Sequence, residues 1–266
     1  GYHISVKGGR FMEAVANADT VVFDKTGTLT YATPTVAKVV SFDGYSASEM
    51  LRLAACLEEH YPHSMANAVV AEAKRLGLDH KEYHSQVEYV VAHGISSSVE
   101  DKKVIIGSAH FVFEDEGCVV PEGEEEKFNA LPEEYSHLYL CIAGRLAAVI
   151  CVADPLRKEA KAAIEALHAC GISKVVMMTG DNRRTAASVA EEVGVDEFYA
   201  EVLPEDKAAF IRREKAAGRT VIMIGDGVND SPALSEADAG VAISTGAAIA
   251  REIADITIAS EDLFEL

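Results

Sequence analysis

Asp24 stands directly behind Thr20-Val21-Val22-Phe23, a run with the composition of a buried strand, and opens the string Asp24-Lys25-Thr26-Gly27-Thr28-Leu29-Thr30. A carboxylate at the C-terminal end of a parallel strand lies in the crevice where open α/β sheets bind ligands. There it can act as a nucleophile and form an aspartyl phosphate. Gly27 and the small hydroxyl residues let backbone N–H groups turn toward a phosphate. A plain Asp-x-x-Gly turn would account for two of these residues, but not for the seven-residue string.

Three further elements fall at the ends of other strand-like runs. Thr179-Gly180-Asp181 follows Lys174–Met178 and opens a helical pattern. The Thr179 hydroxyl and neighbouring N–H groups there could hold a phosphoryl oxygen at a helix N-terminus. Lys207 lies early in the helical segment that begins at Pro204, where an ammonium can offset developing phosphoryl charge. Gly225-Asp226-Gly227-Val228-Asn229-Asp230 follows Thr220–Ile224. Two carboxylates at a strand end beside Asp24 suit a hard cation with oxygen ligands, which means Mg²⁺. Singly, these are a helix cap, a surface lysine and a turn; it is their recurrence at strand ends that points to one site.

The elements that must position these residues alternate. From Asp154 onward the pattern predicts helices over Leu156–Ala169, Arg183–Val193, Pro204–Ala217 and Ser231–Ala237. Strands are predicted over Lys174–Met178, Thr220–Ile224, Ala239–Ile243 and Ile256–Ala259. Such alternation means a parallel sheet covered on both faces. Residues from about Pro34 to Cys151 differ: helical segments at Ser48–Cys56 and Met65–Leu76 precede hairpin-spaced runs at Val87–Val91, Ser96–Val99, Lys103–Ile106, Leu138–Ile142 and Leu146–Cys151. These predict an antiparallel sheet with helices. The expected organisation is therefore a discontinuous domain, 1–32 with 153–266, carrying an inserted domain, 33–152. The two chain crossings form a natural hinge.

Composition limits the alternatives. The net charge is −19 over 266 residues, which repels nucleic-acid backbones and excludes DNA and RNA as partners. Much of the excess sits in Glu114–Glu126, which has no regular ligand spacing and reads as a solvated loop. Five cysteines with none two residues from another read as reduced thiols in a cytosolic setting. Apolar runs such as Leu146–Ala153 are too short to span a bilayer, no signal peptide is visible, and the Gly1 start suggests an excised, soluble fragment.

Asp24–Thr30, Thr179–Asp181 and Gly225–Asp230 together resemble the three signature strings of P-type ATPases, which belong to the haloacid-dehalogenase-like phosphotransferases. The resemblance covers nearly the whole chain. It implies an α/β fold: a haloacid-dehalogenase-like phosphorylation domain split around an α+β nucleotide-binding domain. It further implies Asp24 as the phosphorylated nucleophile. Mg²⁺ would be held by Asp24, the Thr26 carbonyl and Asp226, with Asn229 and Asp230 completing that site. Thr179, Gly180, Asp181 and Lys207 would serve the phosphoryl group, and Asp154-Pro155 matches the hinge motif.

The short insert resembles that of the heavy-metal pumps, whose Ser-Glu-His-Pro-Leu string contacts adenine through its histidine. Here the match is Tyr61-Pro62-His63-Ser64-Met65, with Ala92-His93-Gly94 for the Gly-x-Gly turn and Gly107-Ser108 for Gly-Asn. His63, Gly94 and Gly107 are thus the expected ATP contacts. Glu58 and Glu59 are the candidates for the missing glutamate. Two other readings of the histidines stay open, His60 as an ordinary surface residue and His60-x-x-His63 as a metal site.

Four functions compete: a pump's catalytic part, a free-standing phosphatase of the same fold, a nucleotide-binding regulatory module, and a domain for protein contacts. Related phosphatases carry a second Asp two residues after the nucleophile, as acid and base; here that position is Thr26. A slowly hydrolysed phosphoenzyme is what a pump needs. ATP and Mg²⁺ are the expected cofactors, and the transported cation is expected to bind membrane helices outside this chain, beyond Gly1–Gly9 and Ile253–Leu266.

Overall fold

The computed structural model describes residues 4–6, 10–31, 33–60, 64–78, 88–90, 94–226, 230–244 and 256–259. The chain begins with strand β1 (Ile4–Val6), helix α1 (Arg10–Asn17) and strand β2 (Thr20–Asp24). There follow β3 (Thr35–Ser41), α2 (Ala47–Glu58), α3 (Ser64–Arg75), β4 (Glu88–Val90), β5 (Gly94–Val99), β6 (Lys102–Gly107), α4 (Glu125–Asn129), β7 (Ser136–Ile142) and β8 (Arg145–Ala153). The remainder comprises α5 (Ala160–Ala169), β9 (Lys174–Met178), α6 (Arg183–Val193), β10 (Glu197–Tyr199), α7 (Pro204–Ala216), β11 (Val221–Asp226), α8 (Ser231–Glu236), β12 (Ala239–Ser244) and β13 (Ile256–Ala259). Two compact units result: Gly1–Ala32 with Pro155–Leu266, and Thr33–Asp154.

In the first unit the strand order is β1-β13-β12-β11-β2-β9-β10. Every pairing is parallel except β1 with β13. The short run that carries Asp24 is therefore a central strand, between β9 and β11. Its side chains divide as the two-residue period requires: Val21 and Phe23 enter one apolar core, Val22 the other. Burial on both faces is why Thr20–Phe23 reads as an unbroken β-branched and aromatic run, and it makes the strand a rigid base for the residue at its end.

In the second unit six strands form the sheet β3-β8-β7-β6-β5-β4, antiparallel throughout. Helices α2 and α3 pack their apolar residues on one face, with Leu53, Leu57 and Val69 against Ile106, Leu140 and Ile150. The other face is closed by Phe42, Phe111, Val112, Tyr139 and Val149. Most carboxylates of 114–126 are exposed, as a solvated segment requires, although Glu125 and Glu126 begin the short helix α4.

The α/β class and the two sheet types agree with the sequence. Several details differ from it; β1, α1, α4 and β10 have no expected counterpart. Strand β3 has no counterpart in the periodic reading, because its apolar residues Val36, Val39 and Val40 are only half-buried and are split by a register shift between Val36 and Lys38, so they follow no two-residue period. Helix α5 starts at Ala160, not at Leu156. Leu156 forms an antiparallel bridge with Thr30, and the Arg157 N–H donates to the Leu29 carbonyl at 2.8 Å. Tertiary pairing holds these apolar residues extended and delays the helix.

Candidate active site

Strand register collects the candidate residues at one edge. Asp24 is opposite Met178 on β9, so Thr179 follows beside it. Phe23 is opposite Ile224 on β11, so Asp226 ends the strand on the other side. All three strands are parallel, and their C-terminal ends share one crevice.

Lys207, on the second turn of α7, reaches into this crevice. Its ammonium donates to Asp24 Oδ1 at 3.0 Å and to Asp230 Oδ1 at 2.8 Å. Asp24 is 7% exposed and Asp230 1%. Two carboxylates thus share one cation away from water. Burial, then the Asp230 charge, push the Asp24 carboxyl well above the usual range, against the pull of Lys207. Burial pulls the Lys207 ammonium down, but Asp24 and Asp230 outweigh it and hold it above its ordinary value. The imbalance is one negative charge, which a hard cation would neutralise.

Both Asp230 oxygens are committed. Oδ1 accepts from Lys207 and Oδ2 accepts from the Asp226 N–H at 2.9 Å. Asp230 therefore braces the end of β11 against Lys207. Gly225 makes room for it: a Cβ there would sit 2.6 Å from Asp230 Oδ2. Gly225→Ala is expected to displace the carboxylate and cost roughly 1–3 kcal/mol. Gly180→Ala is the comparison, because a Cβ there meets nothing nearer than the Val202 carbonyl at 3.9 Å. Urea midpoints that fall equally in the two variants would contradict the bracing role.

The turn after Asp24 is a single wide loop, Lys25–Leu29, closed by the Thr30 N–H on the Lys25 carbonyl at 3.2 Å. Gly27 takes φ 78°, the left-handed region that glycine tolerates. Its N–H is already used, donating to Thr30 Oγ1 at 2.9 Å, so it is not free for a phosphate. Thr26 is extended within the loop, at φ −71° and ψ 124°. This breaks the helical direction of its carbonyl.

Thr179 is buried, with its N–H on the Tyr199 carbonyl at 3.0 Å and its hydroxyl accepting from the Asp181 N–H at 3.1 Å. Asn182 caps α6 through the Thr185 N–H at 3.0 Å. The Asp181 carboxylate pairs with the ammonium of Lys25. Lys25 is a residue that sequence reasoning passed over: it is 2% exposed, and a lysine beside a buried strand is rarely so enclosed unless paired. Its place immediately after Asp24 was the available signal.

In the second unit Gly94 and Gly107 face each other directly across the β5–β6 ladder. A Cβ on Gly94 would lie 2.2 Å from the Ile106 carbonyl, so the approach requires glycine. Glu58 is buried at the end of α2, Glu59 is half-buried and His60 exposed. His63, Asn229, Gly227, Val228, Ala92 and His93 lie outside the described residues. Among the described residues no three His, Cys, Asp or Glu side chains cluster as a metal site, and no helix is long and apolar enough to cross a membrane. Asp24 and Asp226 at the ends of neighbouring strands still offer the oxygen chemistry that fits Mg²⁺, which keeps several waters.

The family profile of haloacid dehalogenase-like hydrolases matches residues 18–238. Copper-transporting ATPase 2 of Rhizobium meliloti is 42% identical over 260 residues, covering 98% of this chain and 31% of the relative. A probable copper-exporting P-type ATPase V of Mycobacterium tuberculosis is 40% identical, covering 97% and 33%. The chain thus spans about a third of the curated relatives it matches. Among solved structures, the catalytic domain of the CPx-ATPase CopB-B, from work on its conformational changes upon nucleotide binding, superposes with a TM-score of 0.78. It is 29% identical, covering 98% of this chain and 92% of that one. A zinc-transporting PIB-type ATPase in an E2.Pi state gives 0.58 at 33% identity, covering 98% and 42%.

Proposed function

The chain belongs to the haloacid dehalogenase-like hydrolases, and from that premise we propose that it is the ATP-consuming catalytic part of a heavy-metal P-type ATPase, phosphorylated on Asp24. The observation that carries this reading is the Asp24–Lys207–Asp230 arrangement at the ends of β2 and β11, with Thr26 where a phosphatase of this fold has its second aspartate. Similarity to named copper and zinc pumps over nearly the whole chain supports the branch. The transported cation and the helices that bind it belong to parts of such relatives that this chain does not span.

The chain's own residues divide the work. Asp24 presents a carboxylate oxygen from a rigid central strand to the terminal phosphorus of ATP. Lys207 places its ammonium where negative charge builds on the transferred group. Thr179 offers its position at the adjacent strand end to a phosphoryl oxygen, with Gly180 and Asp181 shaping that turn and Lys25 tying Asp181 to the nucleophile's loop. Mg²⁺ would be held by the Asp24 and Asp226 carboxylates and the Thr26 carbonyl, with Asn229 and Asp230 in support, and would screen the phosphates from the aspartates. Because Thr26 carries no carboxyl, water near the acyl phosphate finds no positioned base, and the intermediate persists.

Adenine is assigned to the second unit, at His63 and the Gly94–Gly107 pair, the positions that match the heavy-metal insert's adenine contacts. Titration of the chain with ATP and Mg²⁺ is expected to shift the amides of Gly94 and Gly107. His63→Ala is expected to weaken binding by about 1 kcal/mol through lost stacking. Shifts confined to residues remote from all three would overturn the adenine assignment and leave that of Asp24 standing.

A further inference from the structure

Arg157 is a buried cation that the chemistry at Asp24 leaves unexplained. It is 3% exposed. Its Nε donates to the Thr28 carbonyl at 2.8 Å, and its backbone N–H donates to the Leu29 carbonyl at the same distance. The guanidinium lies over the Tyr31 ring, 5.5 Å from its centre. Tyr31 is itself tied to the same segment: its N–H donates to the Pro155 carbonyl at 3.2 Å, and its hydroxyl accepts from the Lys158 N–H at 3.0 Å. Residues 28–31 and 155–158 therefore run as a paired ribbon.

The remaining guanidinium groups are poorly served. Nη1 stands 3.7 Å from Glu159, and neither Nη1 nor Nη2 makes a hydrogen bond among the described residues. A buried charge in that condition opposes folding, and an apolar side chain of similar length would fill the space at lower cost. Packing alone does not account for Arg157. Its one well-directed side-chain bond goes to the loop that follows the nucleophile.

That loop is held at its start by β2 and is closed by the Thr30 N–H on the Lys25 carbonyl. Its far end, at Thr28 and Leu29, has Arg157 as its anchor. Between the two lies the extended Thr26. We infer that Arg157 is a positioning residue for phosphoryl transfer, holding the Thr28–Leu29 end of the loop so that the Thr26 carbonyl stays aimed at the reaction centre. This rests on the reading of Asp24 as the phosphate acceptor.

The test uses the 266-residue chain, unaltered and as Arg157→Met and Arg157→Lys, with beryllium fluoride and Mg²⁺ as the probe for an aspartyl phosphate. Fluorine NMR gives the affinity, at a temperature where circular dichroism shows each variant folded. Arg157→Met is expected to bind about tenfold more weakly, the size of one charge-assisted hydrogen bond. Arg157→Lys, which keeps the charge and one donor, should recover part of the loss. Without ligand, amide exchange at Gly27 and Thr30 is expected to quicken about tenfold in Arg157→Met while that of Val176 and Met223 stays unchanged. A lowered melting temperature with unchanged affinity and unchanged Thr30 exchange is the signature of a merely structural residue and overturns the inference. If Arg157→Met does not fold, Arg157→Lys binding as tightly as the unaltered chain overturns it equally. An unaltered chain that binds no beryllium fluoride overturns the assignment of Asp24 as acceptor and this inference with it. Binding by the unaltered chain with equal binding by both variants overturns the inference alone.

Discussion

Asp24→Asn is expected to abolish phosphate incorporation while leaving the fold intact. Asparagine matches the carboxylate in size, but its amide oxygen does not displace a leaving group at phosphorus. Stability should change by no more than about 1 kcal/mol, because the substitution removes a charge that burial and Asp230 already disfavour. Lys207 keeps Asp230 at 2.8 Å as its partner. The measurement is acid-stable label from γ-labelled ATP in the intact protein, released by hydroxylamine as an acyl phosphate must be. Label that survives in Asp24→Asn places the nucleophile elsewhere. Urea titration of the same variant separates lost chemistry from lost structure.

Lys207→Met should be costly twice over. It leaves Asp24 and Asp230 facing each other in a buried site without their shared cation. Removing one member of a buried ionic set typically costs about 3–5 kcal/mol. Labelling should also fall at least about 100-fold, because the ammonium no longer meets charge on the transferred phosphoryl group. The stability loss should depend on pH with a definite sign. The folded state raises the Asp24 carboxyl above its unfolded value, so it binds a proton more tightly than the unfolded chain does. With Lys207 gone this preference strengthens. Acidification should therefore restore part of the lost stability, and alkalinisation should not. Denaturation midpoints at neutral pH and about two pH units lower decide the matter. A variant equally stable at both values, and as stable as the unaltered chain, would falsify the buried-triad account.

The residues that lie at strand ends were legible because their signals are local. Asp24, Thr179 and Asp226 each follow a short apolar run, and a parallel sheet necessarily gathers such ends. Lys207 was legible from its place early in a helix begun by proline. What the sequence did not disclose depends on tertiary pairing. Nothing in the spacing says that Lys25 reaches Asp181 across 156 positions. Nor does anything local say that Leu156 and Arg157 stay extended against Thr30 and Leu29 instead of starting α5. Nor does the sequence show that the Asp230 oxygens accept from Lys207 and from the Asp226 N–H. Strand β3 is hidden because its half-exposed residues lack an apolar period.

The position of β2 has a consequence for how the protein is made. Within this chain the strand is translated well before both its neighbours: β9 begins at Lys174 and β11 at Val221. Until they arrive, Val21, Val22 and Phe23 have no sheet to enter. The segment 33–154, by contrast, contains every strand of its own sheet and pairs its two ends, Thr35 with Ala153. It can close during synthesis while β2 waits unpaired. Such late, long-range strand pairing is slow and leaves apolar edges open to misassociation. In a nascent chain halted shortly after Ala153, protease should therefore spare 33–154 and cut before it, so that Asp24 is translated before its sheet partners and enclosed last.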